Sequence, residues 1–456
     1  MKSQLGLSRR HFLKTTALTT AATGLPGWFI ERELALAAPA VKRPGPNDRP
    51  GIALVGCGGQ GRGDTNNAKR FGDILAVCDV NRSHAEQAAK QFTRDGRKPE
   101  IYIDFRKLME RQDVHIIVNG TPDHWHTLVN LLAVQTGRDI YSEKPLTLTI
   151  DEGKHLVKAV RQHSAVFQVG SQQRSDKNFR LACELVRNGR LGKLQEMIVG
   201  LPTGPREGPF QPVPVPEGLD WDFYIGQARK MEHLGVRVVK LVEGKEVVSF
   251  ETRCSSGNFR WWYCFSGGQM TDWGAHHNDI AQWGNGTELS GPVEVEGKSL
   301  VDMIPGGYDA ASEYEIHFKY ANGVRMTVTD GQRAPNGIKF IGPDGWIFVA
   351  RGSIEASKPE LLSDPLPDNA VRLYRSDDHM RNFFDCVRSR KAPIAECEIG
   401  HRSITVAHLG VISIRMGGLK LGWDPQQEQF VGEHAKEANK WLLREMRKPY
   451  DYSFIT

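Results

Sequence analysis

The 456-residue chain predicts an α/β protein with two domains. Three observations carry this. A glycine-rich turn stands between an apolar run and a helix-compatible stretch. Apolar runs alternate with helical stretches over the first third of the chain. In the second half, period-2 runs pair about Asn-Gly and Asp-Gly turns. The expected layout is a Rossmann dinucleotide-binding domain over 49–171 and a second α/β domain over 172–456 ending in helices.

Residues 1–37 read as an address. Lys2, Arg9 and Arg10 precede a mildly apolar stretch and Ala-Leu-Ala at 35–37. The run SRRHFLK resembles a twin-arginine export signal; an uncleaved amphipathic anchor is the alternative reading. Residues 38–48 form a Pro- and Gly-rich linker. No later stretch reaches the about 18 apolar residues of a membrane span, so a soluble, periplasmic mature chain is expected. The formal charge is +5, and residues 1–37 hold five cations against two carboxylates, leaving the mature chain near +2. That balance argues against a nucleic-acid partner. The seven cysteines are scattered without CxxC spacing, which argues against zinc. An oxidising compartment permits a disulfide, with Cys254 and Cys264 the nearest pair after the first domain.

The first element, Ile52 to Val55, runs into Gly56-x-Gly58-x-x-Gly61, and the next apolar run ends at Asp79. This is the dinucleotide fingerprint. Gly56 permits the tight turn, Gly58 the approach of backbone to pyrophosphate, and Gly61 close packing of helix on strand. Gly59 and Gln60, in the same loop, join the cofactor-binding set. Asp79 suits ribose hydroxyls and repels a 2′-phosphate, favouring NAD; Arg82 nearby keeps NADP open. Two further strands end in Thr121-Pro122 and in Glu143-Lys144-Pro145. In a doubly wound sheet such ends face the ligand, so Lys144 stands where cofactor meets substrate. A solvated loop lysine is the bland alternative.

In TDWGAHHND, Asp272 precedes His276 by four residues, so on one helix the carboxylate orients the ring. His277 points about 100° away. Metal ligation and a plain polar helix remain alternatives; acid–base chemistry fits best.

GxGxxG, Asp79, TPDHWH and Glu143-Lys144-Pro145, in this order, resemble the Gfo/Idh/MocA oxidoreductase family over essentially the whole mature chain. GRLGKLQEMIVG (189–200) and HMRNFFDCVRSRKAPIAECEIGHRSITVAHLGVISIRMG (379–417) extend the resemblance. It implies a Rossmann domain followed by a domain on a large open, mainly antiparallel sheet. ASEYEIHFKYANGVRMTVTDG and NGIKFIGPDGWIFVA independently read as hairpins with one buried face. The resemblance also implies NAD(P), a sugar or polyol substrate and a homo-oligomer, dimer or tetramer. Gly267, Gly268, Asp272, Gly274, His276 and Asp279 match the family's Gly-Gly, Asp-x-Gly-x-His, Asp pattern. Asp272 and His276 are then catalytic with Lys144, and Thr121, Pro122, His126 and Glu143 line the cofactor pocket.

In the mechanism this implies, His276 takes the hydroxyl proton and Lys144 steadies the oxygen. Trp261, Trp262 and Tyr263 offer a stacking face for a sugar, or pack in the core. Arg174 and His277 are further candidates for substrate contact, as are Asp220 and Asp222. Residues 227–258 look longer and more basic than the usual connection. An exported enzyme without an NAD pool implies a retained cofactor recycled in place. The alternatives are a glycosidase cycling through oxidation, elimination, hydration and reduction, and a sugar-binding protein without turnover.

Overall fold

The computed structural model describes residues 41, 45, 48–243 and 245–455, so the signal segment and most of the linker lie outside the described residues. β1 (Gly51–Val55), β2 (Asp73–Cys78), β3 (Glu100–Tyr102), β4 (Ile116–Asn119), β5 (Asp139–Ser142) and β6 (Phe167–Val169) form a parallel sheet. Its order, β3-β2-β1-β4-β5-β6, reverses direction between β1 and β4, and the ligand crevice opens there. Every residue of β1 is buried, as a parallel strand covered on both faces requires. α1 (Gly59–Ala68), α2 (Arg82–Gln91), α3 (Asp123–Gln135) and α4 (Ile150–His163) return the chain between strands.

The second sheet has the order β16-β15-β14-β7-β13-β12-β11-β17-β18. Its strands are β7 (Glu196–Leu201), β11 (Glu294–Ser299), β12 (Tyr314–Lys319), β13 (Arg325–Asp330), β14 (Gly337–Gly342), β15 (Gly345–Ala350), β16 (Ser353–Ala356), β17 (Leu421–Asp424) and β18 (Gln429–Val431). Only the β7–β13 pair is parallel. Both expected hairpins form, β12 with β13 and β14 with β15. Tyr314, Ile316 and Phe318 turn inward, as their alternation requires. One feature departs from a simple meander: β7, far earlier in the chain, slots between β13 and β14 and buries Met197, Val199 and Leu201.

β8 (Gln211–Pro212), β9 (Leu234–Val242) and β10 (Lys245–Thr252) make a small separate sheet. The long basic segment is therefore mostly a β-hairpin. Further helices include α5 (Lys177–Arg187), α6 (Gln269–Asp272), α7 (Gly274–Asn285), α8 (His379–Ser389) and α9 (Cys397–Arg415). α7 packs on α5 and α9, and α9 on β11. α8 instead joins the first domain, with Phe384 stacked on Phe71 at 4.9 Å and Phe383 edge-on to Tyr141 at 5.9 Å. All seven cysteines are free thiols. Cys254 Sγ accepts from Leu234 N at 3.1 Å, and Cys264 lies 3.8 Å from Met231 Sδ.

Candidate active site

Gly56 adopts φ +87°, which a side chain would strain. A Cβ on Gly61 would meet Gly56 O at 2.1 Å, so α1 packs hard against the turn. At Gly58 and Gly59 a Cβ would meet nothing. These two, with Gln60, line a cavity of about 560 Å³. Such a cradle of free backbone at a helix start suits a pyrophosphate. Asp79 lines the same cavity and accepts from Cys57 N and Asn81 N, both at 2.7 Å. Thr121, Pro122, Glu143 and Lys144 also stand on its wall. The residues present fit bound NAD.

Two expected cofactor contacts lie elsewhere. Arg82 reaches Glu86 at 3.9 Å, one helical turn on, and is 63% exposed; the i,i+4 pairing draws it from the wall. His126 is buried behind the wall, Nδ1 2.6 Å from Pro145 O and Nε2 2.8 Å from Thr121 O. Burial pushes its pKa to about 4, so the ring is neutral and its single N–H donates to only one of these two carbonyls.

Below Lys144, Gln60 Nε2 bridges two buried carboxyls, at 3.1 Å from Asp64 Oδ1 and 3.4 Å from Glu143 Oε1. Burial raises the pKa of both, so the pair holds protons that free carboxylates would lose. Lys144 Nζ lies 2.5 Å from Asp272 Oδ1 and 3.2 Å from Asp272 O. That carbonyl is free because the helix breaks: His276 N and His277 N both bond to Trp273 O at 3.0 Å. Arg260 Nε, at 3.2 Å, gives Asp272 a second cation. Burial would raise the Asp272 carboxyl, but Lys144 and Arg260 outweigh it and hold it below the usual range.

The expected Asp272–His276 hydrogen bond is therefore replaced. Two cations outcompete a neutral imidazole for the carboxylate. His276 is buried beside this cluster with Nδ1 unpartnered. Burial first, then the charges of Lys144 and Arg351, push its pKa well below the ordinary value, so the ring is neutral.

Six of the seven expected substrate contacts are taken up by partners within the chain. Arg174, 2% exposed, donates to both oxygens of Asp279 at 2.7 and 2.8 Å, since an arginine buried this deeply needs a carboxylate partner. His277 spans Gln173 at 3.2 Å and Asn336 at 2.8 Å. Trp262 is buried and donates to Arg253 O at 2.7 Å. Tyr263 OH accepts from Ala311 N at 3.1 Å. Asp222 binds Arg447 at 2.8 Å, and Asp220 caps a helical turn at Phe223 N, 3.0 Å away. Trp261 is half-buried and lines a different cavity.

Sequence reasoning missed Arg260 and Asp123. Asp123 opens α3, lines the cofactor cavity while itself buried, and accepts from Ser266 Oγ. Burial pushes it to about 7. Its place inside TPDHWH was the available signal. For Arg260 no spacing rule tied it to Asp272. Among the described residues, no group of three or more His, Cys, Asp or Glu is arranged to hold a metal ion, and no helix is long and apolar enough to cross a membrane.

Comparison with known proteins agrees with this geometry. Residues 51–171 match the NAD-binding Rossmann fold of an oxidoreductase family, 205–452 that family's C-terminal alpha/beta domain, and 6–26 a twin-arginine translocation signal. The chain is 22% identical over 332 residues to scyllo-inositol 2-dehydrogenase (NAD+) of Bacillus subtilis, covering 70% of this chain and 80% of that one. It is 26% identical over 211 residues to a glycosyl hydrolase family 109 protein of Shewanella pealeana, spanning 43% of this chain and only 42% of that relative. The solved aldose-aldose oxidoreductase of Caulobacter crescentus superposes with TM-score 0.59 at 15% identity, over 82% of this chain and all of that one. The cofactor cradle, the two sheets and both matched domains make the chain a member of the Gfo/Idh/MocA oxidoreductase family.

Proposed function

We propose that the protein is a periplasmic NAD-dependent oxidoreductase that acts on a secondary alcohol of a sugar or polyol and recycles a retained cofactor. One observation carries this reading. Lys144, on the wall of the cofactor cavity, is held by Asp272, while neutral His276 lies buried beside the pair.

Bound NAD supplies the hydride acceptor. Lys144 Nζ donates to the reacting oxygen and stabilises the charge that develops there. Asp272, itself held by Arg260, fixes the Lys144 ammonium. The His276 ring, kept neutral by burial and nearby cations, receives the hydroxyl proton. The twin-arginine match supports export with the cofactor aboard. An aldose-aldose oxidoreductase of Caulobacter crescentus shares this fold, and recycling between two sugars would keep a retained cofactor working.

A glycosidase cycle is the second reading. The glycosyl hydrolase family 109 relatives favour it, as does Asp123. Such a cycle needs a group to take the proton beside the new carbonyl, and Asp123, raised to about 7, stands on the cavity wall.

The test is to denature the purified mature protein and identify the released nucleotide by mass spectrometry. Sugars, polyols and aryl glycosides are then added to intact protein without free NAD while NADH fluorescence is followed. Stoichiometric NAD and reduction by a sugar are expected, with Lys144→Ala slowing the reaction about 10²–10³-fold. Aryl glycoside hydrolysis without net reduction points to the second reading. An empty protein inert to every sugar with added NAD leaves a binding protein.

A further inference from the structure

A second cavity, of about 600 Å³, lies apart from the cofactor cradle, lined by Trp261, Tyr308, Gln269, Asn258, Glu207 and Arg253 among others. Four of these carry polar groups that the chain leaves unmatched. Gln269 is 8% exposed and its Oε1 is buried without a partner. Among the described residues, neither the Trp261 indole nor the Tyr308 hydroxyl makes a hydrogen bond. Asn258 spends its amide N–H on Thr252 O at 2.9 Å and keeps its oxygen free. A buried polar group without a partner calls for an explanation, and a ligand that supplies one is the simplest.

The aromatic rings are fixed in place. Tyr308 packs edge-on to Phe210 at 4.7 Å and to Trp262 at 5.7 Å, and Trp261 lies 6.4 Å from Tyr308 at 59°. The one cation of this wall is already paired. Arg253 is bracketed by Glu207 at 3.5 Å and Glu251 at 3.1 Å, so no free cation remains to hold a phosphate or a uronate. Rigid aromatic faces, convergent hydroxyl and amide groups and no spare cation suit a neutral polyhydroxylated ring rather than an anion.

The chain also ties this cavity to the reacting centre. Trp261 directly follows Arg260, which binds Asp272. Gln269 opens α6, and Asp272 closes it. We propose that this cavity is a carbohydrate-binding subsite that takes a neutral sugar ring of a substrate longer than one unit. The inference rests on the reading of the neighbouring site as acting on sugars. Gln269 and Asn258 bind ring hydroxyls, and Trp261 stacks on the apolar face of the ring.

The test uses the NAD-loaded mature protein on an array of immobilised neutral di- and trisaccharides, comparing wild type with Trp261→Ala, Gln269→Leu and His276→Gln. Thermal melting confirms that each variant folds; Gln269→Leu keeps volume where Trp261→Ala removes a ring. Wild type and His276→Gln should bind at least one class of oligosaccharide, and Trp261→Ala and Gln269→Leu should bind it about tenfold more weakly or worse. No binding by wild type, or binding untouched by both substitutions, overturns the subsite. NADH fluorescence in the same samples separates the two ideas. Reduction by monosaccharides without oligosaccharide binding sinks the subsite alone. Oligosaccharide binding without reduction by any sugar sinks the oxidoreductase reading alone.

Discussion

At Asp272 a single carboxylate holds two cations, Lys144 at 2.5 Å and Arg260 at 3.2 Å. Replacing it by asparagine removes the carboxylate that both cations share, with Lys144 13% and Arg260 31% exposed. Asp272→Asn is expected to lower unfolding free energy by about 3–5 kcal/mol, read by chemical denaturation, and to abolish turnover. A variant as stable as wild type would show that water replaces the pairing. Asp123 makes a different prediction. Folded, it keeps its proton up to about pH 7; unfolded, it loses it near the usual carboxylate value of about 4. The folded state thus binds the extra proton, and stability falls as pH rises through that window, by about 4 kcal/mol at most. Asp123→Asn, uncharged and of equal shape, should flatten the pH profile of melting; an unchanged slope would mean Asp123 is ionised throughout. Gly56, Gly58 and Asp79 were legible in the sequence because their chemistry is local backbone chemistry. The Asp272–His276 pairing was misread because Lys144 approaches from 128 residues away, and spacing within one helix carries no trace of it.

Among the elements, the hairpins β12–β13 and β14–β15 were legible from alternation and turn residues, whereas the insertion of β7 between them was not. Strand order depends on which buried faces match, and Met197, Val199 and Leu201 supply a face that several neighbours would accept. The break between α6 and α7 was equally hidden, since Trp273 is compatible with a continuous helix. β9 and β10 lie at the other extreme. Leu241 is 74% exposed and Val248 43%, and beyond the short β8 pairing at Leu234 and Gly235 the ribbon is two-stranded, which is marginal by itself. Leu241→Ser and Val248→Ser should each cost within about 0.5 kcal/mol, whereas Ile316→Ala in β12, fully buried, should cost about 2–5 kcal/mol. Denaturant titration decides. A large cost at Leu241 would mean that the hairpin is covered in solution, and would support the expected homo-oligomer.

At the scale of the whole molecule, the C-terminal segment determines how the cofactor cavity is closed. Phe105, Trp125 and Phe223 line that cavity, and each leans on residues from the far end of the chain. Tyr450 stacks on Phe223 at 5.6 Å and meets Trp125 edge-on at 5.9 Å. Phe454 packs on Phe105 and Trp125, both at 6.1 Å, while Arg106 covers its ring at 3.7 Å. Two ion pairs secure the segment, Arg444 with Glu152 at 2.7 Å and Arg447 with Asp222 at 2.8 Å. Glu152 is buried, so that pair is worth more than a surface bridge. Removing residues 447–456 therefore strips the outer support from three aromatic walls while leaving both sheets intact. The truncated protein should fold, melt several degrees lower and lose its nucleotide on gel filtration, whereas the full chain retains it. If the truncated chain holds the nucleotide as firmly as the full chain, retention resides in the glycine cradle and Asp79, and the C-terminal segment contributes stability alone.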